Sequence, residues 1–126
     1  MKKAIHTDNA PAAVGPYSQA VQVDGLLFCS GQIPINPANG NLIEGSIIEE
    51  THQVLKNLSA VLDAGGSSLN EVVKTTIFLE DMNNFAEVNE VYASYFQQPF
   101  PARACVQAAK LPKNVRIEIE AIAKVS

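Results

Sequence analysis

The segment Pro101-Ala102-Arg103-Ala104-Cys105-Val106-Gln107 sets an arginine, a thiol and a carboxamide at alternate positions. In an extended strand this spacing sends all three to one face and small apolar residues to the other. An arginine among Ala and Val is costly to bury without an anionic partner. Its planar guanidinium is also well suited to grip a carboxylate through two parallel hydrogen bonds. Two readings of Arg103 are therefore open: a carboxylate-binding residue, or half of an internal salt bridge to Glu118 or Glu120. Arg116-Ile117-Glu118-Ile119-Glu120 repeats the alternation and puts both glutamates on the face of Arg116. A carboxylate projecting from a sheet into a half-enclosed site can act as general base or acid. The plainer alternative is a solvated charged face. The connection at 109–115 hides the register, so spacing does not say which glutamate meets Arg103.

Cys105 is a candidate nucleophile, but neither His6 nor His52 stands in a recognisable relation to it, and no triad assembles. A small buried hydrophobe is the preferred reading of Cys105 and of Cys29. His52 falls on the polar side of a helix, where solvent is its expected environment. No spacing of His, Cys and carboxylates resembles a ligand set, so no metal is expected. Gly15-Pro16-Tyr17-Ser18-Gln19 and Ser30-Gly31-Gln32-Ile33-Pro34 lack phosphate-loop spacing. Both read as turns where backbone can approach a ligand closely. Tyr17 fits equally well in the core with its hydroxyl satisfied.

The elements that must carry these residues follow from pattern. Residues 2–6 read as a short strand and 9–16, with two prolines and a glycine, as loop. Strands are expected at 18–23 and 26–30 around Asp24-Gly25, a strong hairpin turn. Residues 33–45 are a long connection. Ser46 and Glu49 have capping-box spacing. Ile48, Leu55, Leu58, Val61 and Leu62 then form one helical stripe that ends at Gly65-Gly66. Residues 72–79 read as a strand. Asn84 and Glu87 would cap a second helix with Phe85, Val88, Val91, Tyr92, Tyr95 and Phe96 on its apolar side, stopped by Pro99 and Pro101. Strands at 102–108 and 116–124 complete the order β-β-β-α-β-α-β-β. That order predicts an α+β domain over residues 1–126, a single sheet with two helices on one face. In the last strand Ile117, Ile119, Ala121 and Ala123 fill one face while Ile122 sits on the other. The second face is therefore expected to be covered in part by another subunit.

Composition narrows the partners. The chain has 126 residues, 47% hydrophobic and 17% charged, enough to bury one core. Nine basic and thirteen acidic side chains give a net charge of -4, which argues against duplex DNA or an anionic membrane surface. There is no Trp, and 6% aromatics build no interleaved stacking platform. No apolar run approaches a membrane span, and Met1 to His6 lacks the apolar region of a secretory signal. Two cysteines far apart in apolar contexts suggest a reducing, cytoplasmic setting.

Taken in series, several segments resemble one family. They are Ala10-Pro11, Gly15-Pro16-Tyr17-Ser18-Gln19, Ser30-Gly31-Gln32-Ile33-Pro34, Thr51-His52-Gln53-Val54, Phe85-Ala86-Glu87-Val88-Asn89, Pro101-Ala102-Arg103 with Cys105-Val106, and Ile117-Glu118-Ile119-Glu120. Their order and near-complete coverage are similar to the RidA (YjgF) family of reactive-intermediate deaminases. The resemblance implies a chorismate-mutase-like fold, a homotrimer with clefts between subunits, and a 2-iminobutanoate/2-iminopropanoate deaminase. Such an enzyme hydrolyses 2-aminoacrylate and related enamines and imines to 2-oxo acids and ammonia. It further implies that Arg103 holds the substrate carboxylate and Glu118 positions and activates water. Tyr17, Ser30, Gly31, Asn89 and Cys105 would line the pocket. No cofactor is implied, because a protonated imine is already activated toward water. The loop at Gln97 to Phe100 is shorter than in many relatives, so the cleft rim is expected to differ. The competing class is a binding module that senses a small carboxylate or regulates translation or transcription. An intact Arg103 together with an intact Glu118 favours the enzyme, since binding alone needs the arginine but not the glutamate.

Overall fold

A computed structural model describes all of residues 1–126. Its strands are β1 (Lys3–Ile5), β2 (Ala20–Val23), β3 (Leu26–Gln32), β4 (Val72–Leu79), β5 (Ala102–Gln107) and β6 (Ile117–Lys124). The helices are α1 (Ile47–Ala64) and α2 (Phe85–Ala93). All six strands join one mixed sheet in the order β1-β2-β3-β6-β4-β5. Only β4 and β5 run parallel, as expected where a helix, α2, makes the crossover. The last strand enters the middle of the sheet, between β3 and β4.

Local chemistry explains most boundaries. Asp24 and Gly25 both take positive φ, 50° and 78°, which is the twist a two-residue hairpin turn needs. Ser46 and Glu49 form the capping box that opens α1. The buried stripe of α1 runs through Ile47, Thr51, Val54, Leu55, Leu58, Val61 and Leu62. Ile48, expected in the stripe, is 40% exposed and Ile47 takes its place. The stripe is centred on 47, 51, 54, 58 and 61, and Ile48 lies about 100° around the helix from Ile47. Asn84 makes no side-chain cap on α2. A 3₁₀ turn at Met82–Asn84 precedes the helix, and its own cap is Asp81, whose side chain accepts from Asn83 N–H. α2 stops at Ala93, but Phe96 beyond it is still buried, stacked on Tyr92 with ring centroids 4.4 Å apart. Ser18 and Gln19 lie outside β2, and the Gln19 side chain is bonded to the loop instead.

Both helices pack on one face of the sheet. Leu27, Cys29, Ile77, Leu79, Ile117, Ile119, Ala121 and Ala123 meet the helices and form the core with the α1 stripe and Val88. The opposite face keeps apolar side chains in the open: Leu26, Phe28 and Val106 are 37%, 42% and 44% exposed, and Ile122 is half-buried. No helix is long and apolar enough to cross a membrane.

Candidate active site

Register decides the first question about Arg103. It lies beside Thr75 of β4, and Glu118 lies beside Phe78 of the same strand. Thr75 and Phe78 are three positions apart in a regular stretch, so they point to opposite faces. Arg103 therefore shares the helix-covered face, and Glu118 and Glu120 share the open one. An internal salt bridge from Arg103 to either glutamate is excluded within the chain. The ion pairs are His6–Asp8 and Arg116–Glu50. Although Arg116 continues the alternation of the two glutamates, its guanidinium turns to Glu50 at the start of α1 and donates to the Gly45 carbonyl at 2.8 Å.

Arg103 is exposed rather than buried, because β5 is an edge strand. It is nevertheless held. Its Nη1 donates to Asn89 Oδ1 at 2.7 Å. Its guanidinium carbon lies 5.0 Å from the Tyr92 ring centroid and 5.5 Å from that of Phe85. This aromatic shelf attracts the cation through the ring quadrupoles. The shelf is itself fixed, since the buried Tyr92 hydroxyl is 2.7 Å from Thr75 Oγ1. One edge of the fork is thus occupied and the rest of its donors are free for an anion. A cavity of about 490 Å³ opens there, lined by Asn89, Tyr92, Ala93, Phe100, Pro101 and Arg103. Phe100, from the loop before β5, forms part of its wall and is 55% exposed.

Glu118 stands in a second cavity of about 480 Å³. Tyr17, Ser30, Gly31, Gln32 and Lys113 line it with the carboxylate. Burial, reinforced by the like charge of Glu120, raises the Glu118 carboxyl above the ordinary carboxylate value. Tyr17 is 54% exposed and is a wall residue, not a core residue. Ser30 Oγ donates to the Ser18 carbonyl at 2.7 Å. The loop above the cavity is fastened by buried Gln19. Its Oε1 accepts from Thr7 N–H at 2.7 Å, and its Nε2 donates to the carbonyls of Thr7 and Pro11 at 3.0 and 2.8 Å. Of the residues expected at the site, Tyr17, Ser30, Gly31 and Glu118 thus meet in one cavity, and Asn89 and Arg103 in the other.

Cys105 follows Arg103 on the same strand face but lines neither cavity. Its Sγ lies 3.8 Å from Met82 Sδ. Burial pushes the thiol up, against a smaller opposite pull from Arg103. Burial alone raises Cys29 to about 12. A thiol held protonated is a poor nucleophile. Cys105→Ser is therefore expected to keep most of any activity, with a loss no larger than about tenfold, the worth of one hydrogen bond. An inactive but folded serine variant, with a substrate adduct on the wild-type thiol in mass spectrometry, would reverse that assignment. His52 is not simply solvated either, since its Nδ1 is 2.8 Å from the Tyr95 hydroxyl.

Sequence reasoning missed the shelf, the Gln19 fastening and Lys113. Phe85 and Tyr92 were legible only as an apolar helix face, and nothing in their spacing pointed to the arginine.

Residues 7–125 match the family described as Endoribonuclease L-PSP. The chain belongs to that family, known also as RidA or YjgF. A mouse member, named 2-iminobutanoate/2-iminopropanoate deaminase, is 54% identical over 98% of this chain and 91% of its own. A Yersinia pestis member of the conserved Rid family has a crystal structure that superposes with a TM-score of 0.97. It is 52% identical, over 99% of this chain and 100% of that one. Escherichia coli TdcF, crystallised with bound serine, gives a TM-score of 0.92 at 41% identity, over 98% of this chain and 99% of that one. These similarities establish the RidA fold for the two-cavity arrangement described above.

Proposed function

We propose that the protein is a 2-iminobutanoate/2-iminopropanoate deaminase, hydrolysing small 2-imino acids and their enamine tautomers to 2-oxo acids and ammonium. The observation that carries the reading is that Arg103 and Glu118 are both unspent. Neither has an ion-pair partner within its own chain, while Arg116 and Glu50 pair with each other. The free donors of Arg103 suit the substrate carboxylate. Glu118 takes a proton from water as the oxygen attacks the imine carbon. The same proton then passes to the departing nitrogen. As the C–N bond breaks, Glu118 takes the remaining hydroxyl proton of the tetrahedral intermediate and hands it to the leaving ammonia, which leaves the 2-oxo acid and ammonium. A carboxyl with a raised pKa suits both transfers. The serine bound to TdcF, itself a small α-amino carboxylate, fits the same class of ligand.

Because the two groups lie on opposite faces of one sheet, a single chain does not bring them to one substrate. A homotrimer does so if the open face of one subunit, with Tyr17, Ser30, Gly31 and Glu118, meets the β5 edge of the next, with Asn89 and Arg103. The exposed Leu26, Phe28 and Val106 support burial of this face by a second copy. Residues 1–126 serve as one domain in that assembly. Two unpaired cysteines fit a reducing cytoplasm. RNA cleavage, which the family description names, has less support. The net charge is -4, and only Lys113 brings a positive charge to the Glu118 cavity. The unspent glutamate also distinguishes the enzyme from a carboxylate sensor.

The direct test generates 2-aminoacrylate in place with a dehydratase and follows pyruvate. The protein should accelerate its appearance, and a rate equal to the uncatalysed one would sink the reading. Assembly has its own test. Inactive Arg103→Ala and Glu118→Gln chains, mixed equally and allowed to exchange, should rebuild about a quarter of the clefts, since each needs one intact half from each chain type. No recovery after verified exchange would place both residues in one chain's site.

A further inference from the structure

Gly31 and Glu118 are packed more closely than two residues with side chains can be. β3 carries a bulge: Cys29 faces Ala121 and Gln32 faces Ile119, so Ser30 and Gly31 together oppose the single residue Glu120. The extra residue breaks the alternation and turns this segment toward the open face. Gly31 does not have a positive φ, so its conformation does not require glycine. Space does. A Cβ on Gly31 would fall 2.8 Å from Glu118 Cδ and 2.9 Å from Cγ, and closer still to Oε2. The backbone cannot easily retreat. Ser30 N–H donates to the Gln19 carbonyl at 3.0 Å and Ser30 Oγ to the Ser18 carbonyl, while β6 is held between β3 and β4. The movable partner is the Glu118 side chain.

We propose that Gly31 is a positioning residue of the reaction: its bare Cα is the seat of the Glu118 carboxylate, and any side chain there swings that carboxylate off the imine. The proposal rests on Glu118 being the base. The charged and titratable groups facing Glu118 are Glu120 on its own strand, Lys113 from the turn and Tyr17 from the N-terminal loop; β3 and β4 bring Ser30, Gly31 and Phe78, none of them charged. Displacement toward solvent therefore returns the carboxyl toward its ordinary value.

The test is a double-mutant cycle read in two ways. In stability, measured at a pH low enough to keep Glu118 protonated, where its burial favours folding, Gly31→Ala should lower the thermal midpoint, and by much less in a Glu118→Ala background, where the obstruction is gone. In turnover, Gly31→Ala should lower kcat by about 10²-fold, as for an ångström-scale misplacement. It should add no more than about twofold to the loss from Glu118→Gln. The Glu118 carboxyl, followed by carbon NMR, should titrate lower in Gly31→Ala. Equal drops in midpoint in both backgrounds, or fully additive losses of rate, would overturn the proposal and leave Gly31 acting on the substrate or the backbone. If Glu118→Gln were fully active, the base assignment would fail instead, and the stability cycle would still decide whether Gly31 seats the side chain.

Discussion

Arg103→Lys is expected to lower kcat/KM for 2-iminopropanoate by about 10²-fold or more while leaving the fold intact. The charge survives, but the geometry does not. In the wild type one Nη1 is committed to Asn89 Oδ1, and the guanidinium plane rests by Phe85 and Tyr92. The remaining donors can then meet a carboxylate in a fixed orientation. A lysine ammonium is a compact, strongly hydrated point with no plane to lay against the shelf, and it cannot reproduce the fork. It must share its donors between Asn89 and the substrate, so the imine carbon is no longer fixed relative to the water. Arg103 is exposed on an edge strand, so its replacement costs little stability in the chain. Steady-state kinetics with a dehydratase-coupled assay, alongside a circular dichroism melt, check both halves. Wild-type turnover in the folded lysine variant would remove the carboxylate-clamp assignment.

Glu118→Gln is expected to bind pyruvate yet turn over about 10²–10⁴-fold more slowly, the range for loss of a general base. Shape is kept and the proton acceptor is lost. The pH dependence carries the same signature. Burial, then repulsion from Glu120, raise the folded-state pKa above its unfolded value. The base form is needed, so kcat/KM should fall on acidification through a limb that lies above the ordinary carboxylate range. The stability sign follows from linkage. The folded state holds this proton more tightly than the unfolded chain, so Glu118 favours folding at low pH. That contribution is lost as pH rises from the unfolded value through the folded one, and above the latter the buried charge is a standing cost. Glu118→Gln should therefore melt higher than wild type at neutral pH, a gain in stability paired with a loss of rate. A glutamine variant that melts lower at neutral pH, or retains the acid limb, would contradict the role given to burial.

Sequence alone determined the elements and the roles their residues can play. Asp24-Gly25 specified a hairpin because its residues tolerate positive φ, and Ser46 with Glu49 specified a helix start because their side chains satisfy free amides. Alternation in residues 117–124 separated a core face from a polar face without any partner in view. In residues 102–107 it grouped Arg103, Cys105 and Gln107 on one face, but that face is the helix-covered one and the small apolar residues lie on the open side. The motifs in series also resembled the RidA family, to which the chain belongs. These signals are local, and hydrogen bonding and side-chain period act over a few residues. What joins Arg103 to its surroundings is not local. The shelf of Phe85 and Tyr92 comes from a helix that reads only as apolar, and Gln19 fastens a loop through backbone carbonyls that leave no trace in residue type. Most of all, the faces of Arg103 and Glu118 depend on the strands they flank. Beside β4 they fall at Thr75 and Phe78, an odd separation, and one residue's difference in register would have put them on the same face. Strand order and register are set by packing across the whole sheet, so only the tertiary structure could decide that one chain holds two half-sites.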